Sequence, residues 1–264
     1  MDLNLKEKTA LVTGSTAGIG LAIATELARE GASVIINGRT QDRIDNAIFK
    51  IKTEVPEAIV TGVVADFGEK TSIDRLLEEV VMVDILVNNV GIFEPKDFAD
   101  ISDEEWNEMM EVNLMSGVRL SRRYFPKMLA QNWGRILFIS SESGVQIPAE
   151  MVHYGVSKSA QIALANGMAR LTKGTGVTVN SVLPGSTMSE GAGQFFSALA
   201  EKEGRSRAEV EADFLKKERS TQLLQRFATP REVANLVVYL ASPLSAATNG
   251  AALRVDGGTL PTIL

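Results

Sequence analysis

Hydrophobic and polar positions along the chain fall into two alternating patterns. Short apolar runs rich in β-branched residues read as buried strands, and longer stretches with apolar residues every three or four positions read as helices. The first run is 9–13. Helical spacing follows over 19–29 (Ile19, Ala22, Ile23, Leu27), with Gly31 placed to end it. A second strand at 32–36 leads into another helical pattern through Ile44, Ala47, Ile48 and Ile51. That pattern rules out a hairpin at Asn37-Gly38, which the dipeptide alone would suggest. A third strand is expected at 58–64, a helix at 71–80 and a fourth strand at 83–87. Ser102-Asp103-Glu104-Glu105 is a capping box. It opens a helix carrying Trp106, Met109, Met110, Val112 and Leu114, and the pattern continues through Tyr124, Phe125 and Leu129. Strand five follows at 135–139, a helix at 154–173 and strand six at 177–182. Thr229-Pro230-Arg231-Glu232 opens a helix to about residue 240, before a last strand at 251–255. Strands alternate with helices throughout. The expected fold is α/β: a single doubly wound domain over 1–264, with a mainly parallel seven-stranded sheet and helices on both faces. In such a sheet ligands bind beyond the carboxyl ends of the strands.

Candidate chemistry gathers at those ends. After strand one come Gly14-Ser15-Thr16-Ala17-Gly18-Ile19-Gly20, a glycine-rich turn opening a helix, which is a phosphate cradle. Its spacing is G-x-x-x-G-x-G, not G-x-G-x-x-G. At the tip of strand two, where an adenosine ribose would lie, stand Arg39 and Thr40, with no acid until Asp42. An arginine accepts a 2′-phosphate where an acid would take a 2′-hydroxyl, so NADP(H) is expected over NAD(H). Asp66 and Phe67 are placed to bracket an adenine, and Asn88-Asn89-Val90-Gly91 closes strand four. Asn113 falls inside an apolar helical run, where it either holds a water and bends the helix or is a satisfied core amide. Strand five delivers Ser140 and Ser141. Tyr154 and Lys158, at i and i+4, project from one helical face. A cation beside a phenol stabilises the phenolate and makes a tyrosine a usable general acid or base.

Composition narrows the field. The 264 residues carry 27 basic and 33 acidic side chains, a net charge of −6, which argues against a broad nucleic-acid or anionic-membrane surface. With no cysteine and one histidine, a thiolate nucleophile, a disulfide framework and a Cys/His metal site are excluded, and no metal is expected. His153 reads as a surface or hydrogen-bonded residue rather than a second proton donor. No apolar signal region opens the chain and no long uncharged apolar run follows, so the default location is cytoplasmic.

Taken together, Thr13-Gly14-x-x-x-Gly18-x-Gly20, Asn88-Asn89-x-Gly91, Asn113, Ser141, Tyr154-x-x-x-Lys158, Pro184-Gly185 and Asp256-Gly257-Gly258 resemble the short-chain dehydrogenase/reductase family over nearly the whole chain. The resemblance implies a Rossmann-type fold and hydride transfer between NADP(H) and a small-molecule carbonyl or secondary alcohol. It implies that Tyr154 is the proton donor or acceptor and that Ser141 hydrogen-bonds the substrate oxygen. Lys158 would hold the nicotinamide ribose and lower the Tyr154 pKa, and Asn113 would support a water in the proton relay. Gly14, Ser15, Thr16, Gly18, Ile19, Gly20, Arg39, Thr40, Asp66, Phe67, Asn89, Val90, Gly91, Pro184, Gly185 and Thr187 would join Tyr154 and Lys158 around the cofactor. Val90 departs from the family's usual Ala, Ala17 from a frequent basic residue, and Thr187 from the usual spacing after Gly185. The family also suggests a homotetramer (or homodimer) built on helices near 103–131 and 154–173 and on the last strand, with the apolar tail 260–264 at an interface.

Residues 189–227 are the least family-like. They read as a helical lid over the active site, one helix at 192–203 and a second opened by the capping box Ser206-Arg207-Ala208-Glu209, with Gly191, Gly193 and Gly204 as hinges. Most of the lid phenylalanines are expected in a core, and Glu142, Gln146, Met151 and His153 flank the catalytic positions. Two other functions fit less well. A 3-oxoacyl-carrier-protein reductase would need a basic docking patch, for which Arg122, Arg123, Lys127 and Arg135 are candidates. A non-catalytic NADP(H)-binding regulator would have no use for the complete Asn, Ser, Tyr and Lys set.

Overall fold

A computed structural model describes residues 2–263. The strands are β1 (Thr9–Val12), β2 (Ser33–Gly38), β3 (Val60–Val64), β4 (Ile85–Asn88), β5 (Gly134–Ile139), β6 (Val177–Pro184) and β7 (Ala252–Val255). They form one sheet in the order β3-β2-β1-β4-β5-β6-β7, and every neighbouring pair is parallel. The helices are α1 (Gly18–Arg29), α2 (Gln41–Glu54), α3 (Lys70–Glu79), α4 (Asp103–Met110), α5 (Ser116–Ala130), α6 (Val152–Arg170), α7 (Glu190–Glu203), α8 (Arg207–Glu218) and α9 (Pro230–Ala241). The order turns back between β1 and β4, and the crevice at that switch is where a doubly wound sheet binds its ligand.

Period-two alternation divides the strand side chains between two cores. Ala10 and Val12 of β1 point with Val34 and Ile36 into a core covered by α1, α2 and α9. Leu11 points the other way, among Leu86, Ile136 and Phe138, under Ile73 and Leu76 of α3, Leu120 and Tyr124 of α5 and Ala165 of α6. Asn37 and Gly38 lie within β2, paired to Val63 and Val64, so no hairpin forms there. Strand three starts later than its apolar pattern suggests because Ala58 N–H donates to Val55 O in a turn. The expected helix after Ser102 is interrupted: residues Glu111–Met115 form one wide π turn between α4 and α5. The residue in the middle is Asn113.

Candidate active site

The glycine turn is built for close approach. Gly14 and Gly18 have φ of +59° and +56°, which other residues rarely adopt. A Cβ on Gly20 would stand 2.4 Å from the Gly14 carbonyl oxygen, so no side chain fits there. The turn is tied down from beneath. Asn89 Nδ2 donates to the carbonyls of Thr13 (2.9 Å) and Gly14 (3.0 Å), and Thr13 Oγ1 accepts from the N–H groups of Asn89 and Val90. The Val90 side chain packs on Gly14. Asn37, which sequence reading treated only as half of a turn dipeptide, accepts from Gly14 N–H and donates to the carbonyls of Val63 and Ala65. It joins the turn to β2 and β3. Unlike α2, α4, α7, α8 and α9, helix α1 has no side-chain N-cap. Its first N–H groups, beginning with Gly18, Ile19 and Gly20, stand ready for an anion, so the cradle fits a dinucleotide pyrophosphate.

Two expected contacts are corrected here. Ser15 is fully buried; its hydroxyl donates to Val12 O and accepts from Asn37 N–H, and its own N–H donates to Asn37 O. Its hydroxyl and its N–H are both spent shaping the turn. Phe67 is buried with Val63 and Ala65 in the core beneath α3, so its ring cannot stack on an adenine. Asp66, half-buried, stays at the strand end, its carboxylate accepting from Gly68 N–H. Arg39 and Thr40 lie exposed at the tip of β2, and Thr40 Oγ1 caps α2 by accepting from Arg43 N–H. Thr16 Cγ2 would lie 2.5 Å from a Cβ on Gly38, so the β2 tip sits against the glycine turn.

Strand β5 and helix α6 place the proton-handling groups. Ser141 Oγ accepts from Ser143 N–H at 3.1 Å, which leaves its own proton free to donate. Ser140 Oγ donates to Lys158 O, tying the strand end to α6. Burial pushes the Tyr154 phenol up to about 12, opposed by Ser141 and Arg219 and reinforced by Glu142. Burial pulls the Lys158 ammonium down to about 8. Its Nζ donates to Ile139 O at 2.9 Å and lies 5.7 Å from the centre of the Tyr154 ring. The expected lowering of the phenol by Lys158 is therefore not what this geometry gives. The ammonium is directed at a carbonyl and is itself held down by burial, while the phenol stays protonated at neutral pH.

Asn113 is a satisfied amide. Its Oδ1 accepts from Ile92 N–H (2.7 Å), and its Nδ2 donates to Ile92 O (3.0 Å) and Ser157 Oγ (2.9 Å). The π turn carries it into that position. A protein link between Asn113 and Lys158 runs through Gln161. Its Nε2 donates to the Asn113 main-chain carbonyl, and its Oε1 accepts from Lys158 Nζ at 3.4 Å. Sequence reading missed Gln161. The available signal was an amide three residues after Lys158 on the same helix, in an otherwise apolar setting.

These groups share one cavity of about 670 Å³. Ile19, Asn89, Gly91, Pro184, Gly185 and Thr187 line it together with Ser141, Tyr154 and Lys158, so the cofactor cradle and the proton donor open on the same space. Gly91 lies beside Lys158 and Asn113, and the Thr187 hydroxyl donates to Gly185 O. Helices α7 and α8 close the cavity's far side. Phe196, Phe214 and Phe227 meet edge-on and stacked in a small core of their own with Ala200 and Val210, and they also face the cavity. Ser189, at the start of α7, would sit 3.1 Å from a Cβ on Gly18, so the segment reaches the cradle. Of the expected hinges, Gly204 ends α7 in the left-handed region, but Gly191 and Gly193 lie inside α7 and cannot swivel. His153 is buried edge-on against Trp106 rather than at the surface.

Of the four cations expected in a basic docking patch, burial removes Arg135, while Arg122 and Arg123 are exposed. Arg135 is buried, donating to the carbonyls of Ser242, Gly134 and Gly176. Arg123 and Lys127 donate to Leu77 O in the last turns of α3 and to Val81 O in the segment that leads to β4. Those positions belong to the amino ends of the strands, opposite the cavity mouth. Among the described residues no group of three potential metal-ligating side chains is found, and no helix is long and apolar enough to cross a membrane.

Comparison with known proteins agrees with this geometry. Residues 8–200 match the sequence model of the family described as short chain dehydrogenase. The chain is 48% identical to the uncharacterized oxidoreductase YvaG of Bacillus subtilis (strain 168), over the full length of both. It is 34% identical to the 3-oxoacyl-[acyl-carrier-protein] reductase FabG of Aquifex aeolicus, covering 98% of this chain and 99% of that one. Among solved structures, L-sorbose reductase from Gluconobacter frateurii complexed with NADPH and L-sorbose superimposes with a TM-score of 0.93, at 31% identity over the whole of both chains. A glycine cradle at the sheet's switch point and a Ser-Tyr-Lys group opening on the same cavity are thus found on a chain that belongs to the short-chain dehydrogenase family of oxidoreductases.

Proposed function

We propose that this protein transfers a hydride between NADP(H) and a carbonyl/secondary alcohol pair on a small molecule bound beneath the lid of residues 189–227. The observation that carries this reading is the convergence of Ser141, Tyr154 and Lys158 on the cavity that the cradle also lines. When bound, NADPH supplies the hydride. The chain supplies placement and the proton. Ser141 donates its free hydroxyl proton to the substrate oxygen as negative charge develops there. Tyr154, protonated at neutral pH, passes its proton to that oxygen, so NADPH, a proton and a ketone yield NADP⁺ and an alcohol. Lys158 holds the ribose hydroxyls, positioned by Ile139 O and Gln161, while Asn113 keeps the loop at Ile92 and the π turn in place. Gly14, Gly18, Ile19 and Gly20 take the pyrophosphate, and Arg39 takes the 2′-phosphate. The NADPH named for the L-sorbose reductase structure supports that choice. A cytoplasmic homotetramer, joined through α4, α5, α6 and the open edge of β7, completes the reading.

The test is NADPH oxidation with a panel of ketones, aldehydes and their alcohols. Turnover that is lost in Tyr154→Phe, with NADPH affinity retained, is the expected result. A panel without turnover, or a Tyr154→Phe variant as active as wild type, overturns the assignment. Light scattering on the eluted protein checks the tetramer, and cell fractionation checks the location.

A further inference from the structure

One ion pair spans the cavity from body to lid. Glu142, the residue after Ser141, meets Arg219 at the end of α8, with Nε and Oε1 3.2 Å apart and side chains only 6% and 11% exposed. Both line the cavity beside Ser141 and Tyr154. The pair is incompletely satisfied. Arg219 Nε is buried and, although near the carboxylate, is not aligned to hydrogen-bond to it. The other Glu142 oxygen accepts only from Ser143 Oγ, at 3.3 Å. The guanidinium rests on the Phe214 ring, 5.2 Å from its centre, which fixes it in place. Beyond this corner the cavity wall is mixed: Ile92, Phe93, Phe195, Phe196 and Phe227 supply apolar surface, and charged side chains such as Glu150 and Lys217 also line it.

Such a corner combines a desolvated acceptor with a donor that lacks a partner, next to the proton donor, with no net charge. A hydroxyl group answers both at once, donating to the carboxylate while accepting from the guanidinium. A plain ketone leaves Arg219 Nε unpaired on closing out water. A carboxylate on the substrate would satisfy Arg219 but face Glu142 with like charge in a poorly solvated space. We infer that Glu142 and Arg219 are specificity-determining residues that read a hydroxyl on the carbon beside the reacting carbonyl, so that the substrates are neutral α-hydroxy ketones and, in the reverse direction, vicinal diols. This rests on the oxidoreductase reading above. The chemistry is unchanged: hydride to the carbonyl carbon, the phenol proton to its oxygen, and the neighbouring hydroxyl keeps its own proton.

The experiment measures kcat/KM with NADPH for matched substrates on the full chain: acetoin against butanone, hydroxyacetone against acetone, and pyruvate as the keto acid. Wild type, Arg219→Met and Glu142→Gln are compared. Sites that hydrogen-bond a substrate hydroxyl reject analogues lacking it by up to ~10⁴-fold. Since this pair is partly satisfied internally, a preference of about 100-fold for the hydroxy ketones is expected. Arg219→Met should bring the ratio within about tenfold, chiefly through KM for the hydroxy ketone. Glu142→Gln should raise activity towards pyruvate, because it leaves the guanidinium unopposed. Equal use of plain and hydroxylated ketones by wild type overturns the inference, as do a wild-type preference for pyruvate and an equal loss on all substrates in both variants. In each of those cases turnover sensitive to Tyr154→Phe leaves the oxidoreductase reading standing. NADPH binding without turnover of any ketone fails that reading, and this inference with it.

Discussion

Lys158→Met should separate what the lysine does for chemistry from what it does to stability. Burial holds its ammonium at about 8, against 10.5 for a free lysine. Between those values the unfolded chain binds the proton more readily than the native protein. Native stability therefore rises with pH from about 8 upward, and the full penalty is present below 8. At ~1.36 kcal/mol per pH unit, the 1.5 units from about pH 8 to about pH 9.5 relieve ~2 kcal/mol. Methionine fills a similar volume without a titrating group, so the variant lacks this slope. It also loses the bonds to Ile139 O and Gln161 Oε1, but those losses are the same at every pH in the window. Urea denaturation followed by Trp106 and Trp133 fluorescence, for both proteins at matched concentration, gives the difference directly. Wild type should gain ~2 kcal/mol on the variant between about pH 7.5 and about pH 9.5, while the variant shows no turnover throughout. The window stops there because the buried Tyr154 phenol, raised to about 12, acts with the opposite sign above its unfolded value of 10.0. A difference that stays flat, or wild type losing ground as pH rises, would refute the argument.

Other perturbations probe separate parts of the site. Arg39→Ala should weaken NADPH by at least roughly tenfold, the worth of a charge-assisted contact, and leave NADH nearly unchanged; an unchanged ratio of the two KM values contradicts the role given to Arg39. Gly20→Ala places a methyl group 2.4 Å from Gly14 O, so calorimetric NADPH binding should be lost while circular dichroism stays native. Phe196→Ala removes the centre of the lid's aromatic cluster, a change worth ~3–5 kcal/mol in a packed core. Faster proteolysis between 190 and 219, with the cofactor still bound, is the expected pattern. Gln161→Leu leaves the Asn113 carbonyl and the Lys158 amine each one partner short, so kcat should fall and its pH profile shift; a profile identical to wild type would rule out the bridge.

Much of this was legible from spacing because doubly wound folds put their chemistry at strand ends, and strand ends are marked by Gly, Pro and Asn. Tyr154 and Lys158 needed only helical periodicity. What escaped depended on which face or which partner a residue finds. Phe67 continues the inward alternation of Val63 and Ala65 beyond the last paired residue of β3, so it is core although it follows the strand. Ser15 has the composition of a phosphate-binding turn, yet its hydroxyl is claimed from below by Val12 and Asn37. Arg135 looked like a surface cation because nothing local tells that the carbonyls of Ser242 and Gly176, distant in sequence, join that of Gly134 around it. The π turn inserts one residue into a helix whose apolar repeat barely changes. Only the pull of Ile92 and Ser157 on Asn113 reveals it.

The aromatic cluster of the lid has a consequence beyond packing. Phe196, Phe214 and Phe227 form a core with Ala200 and Val210 that is separate from the two cores flanking the sheet. Substitutions there trade against one another within the cluster and need not disturb the strands that hold Ser141 or the glycine turn. The lid side of the cavity and the frame that holds Ser141 and the glycine turn are thus encoded in parts of the chain that can drift at different speeds. The lid wall of the cavity can be rewritten within some forty residues between β6 and α9 while the frame beneath it keeps its packing.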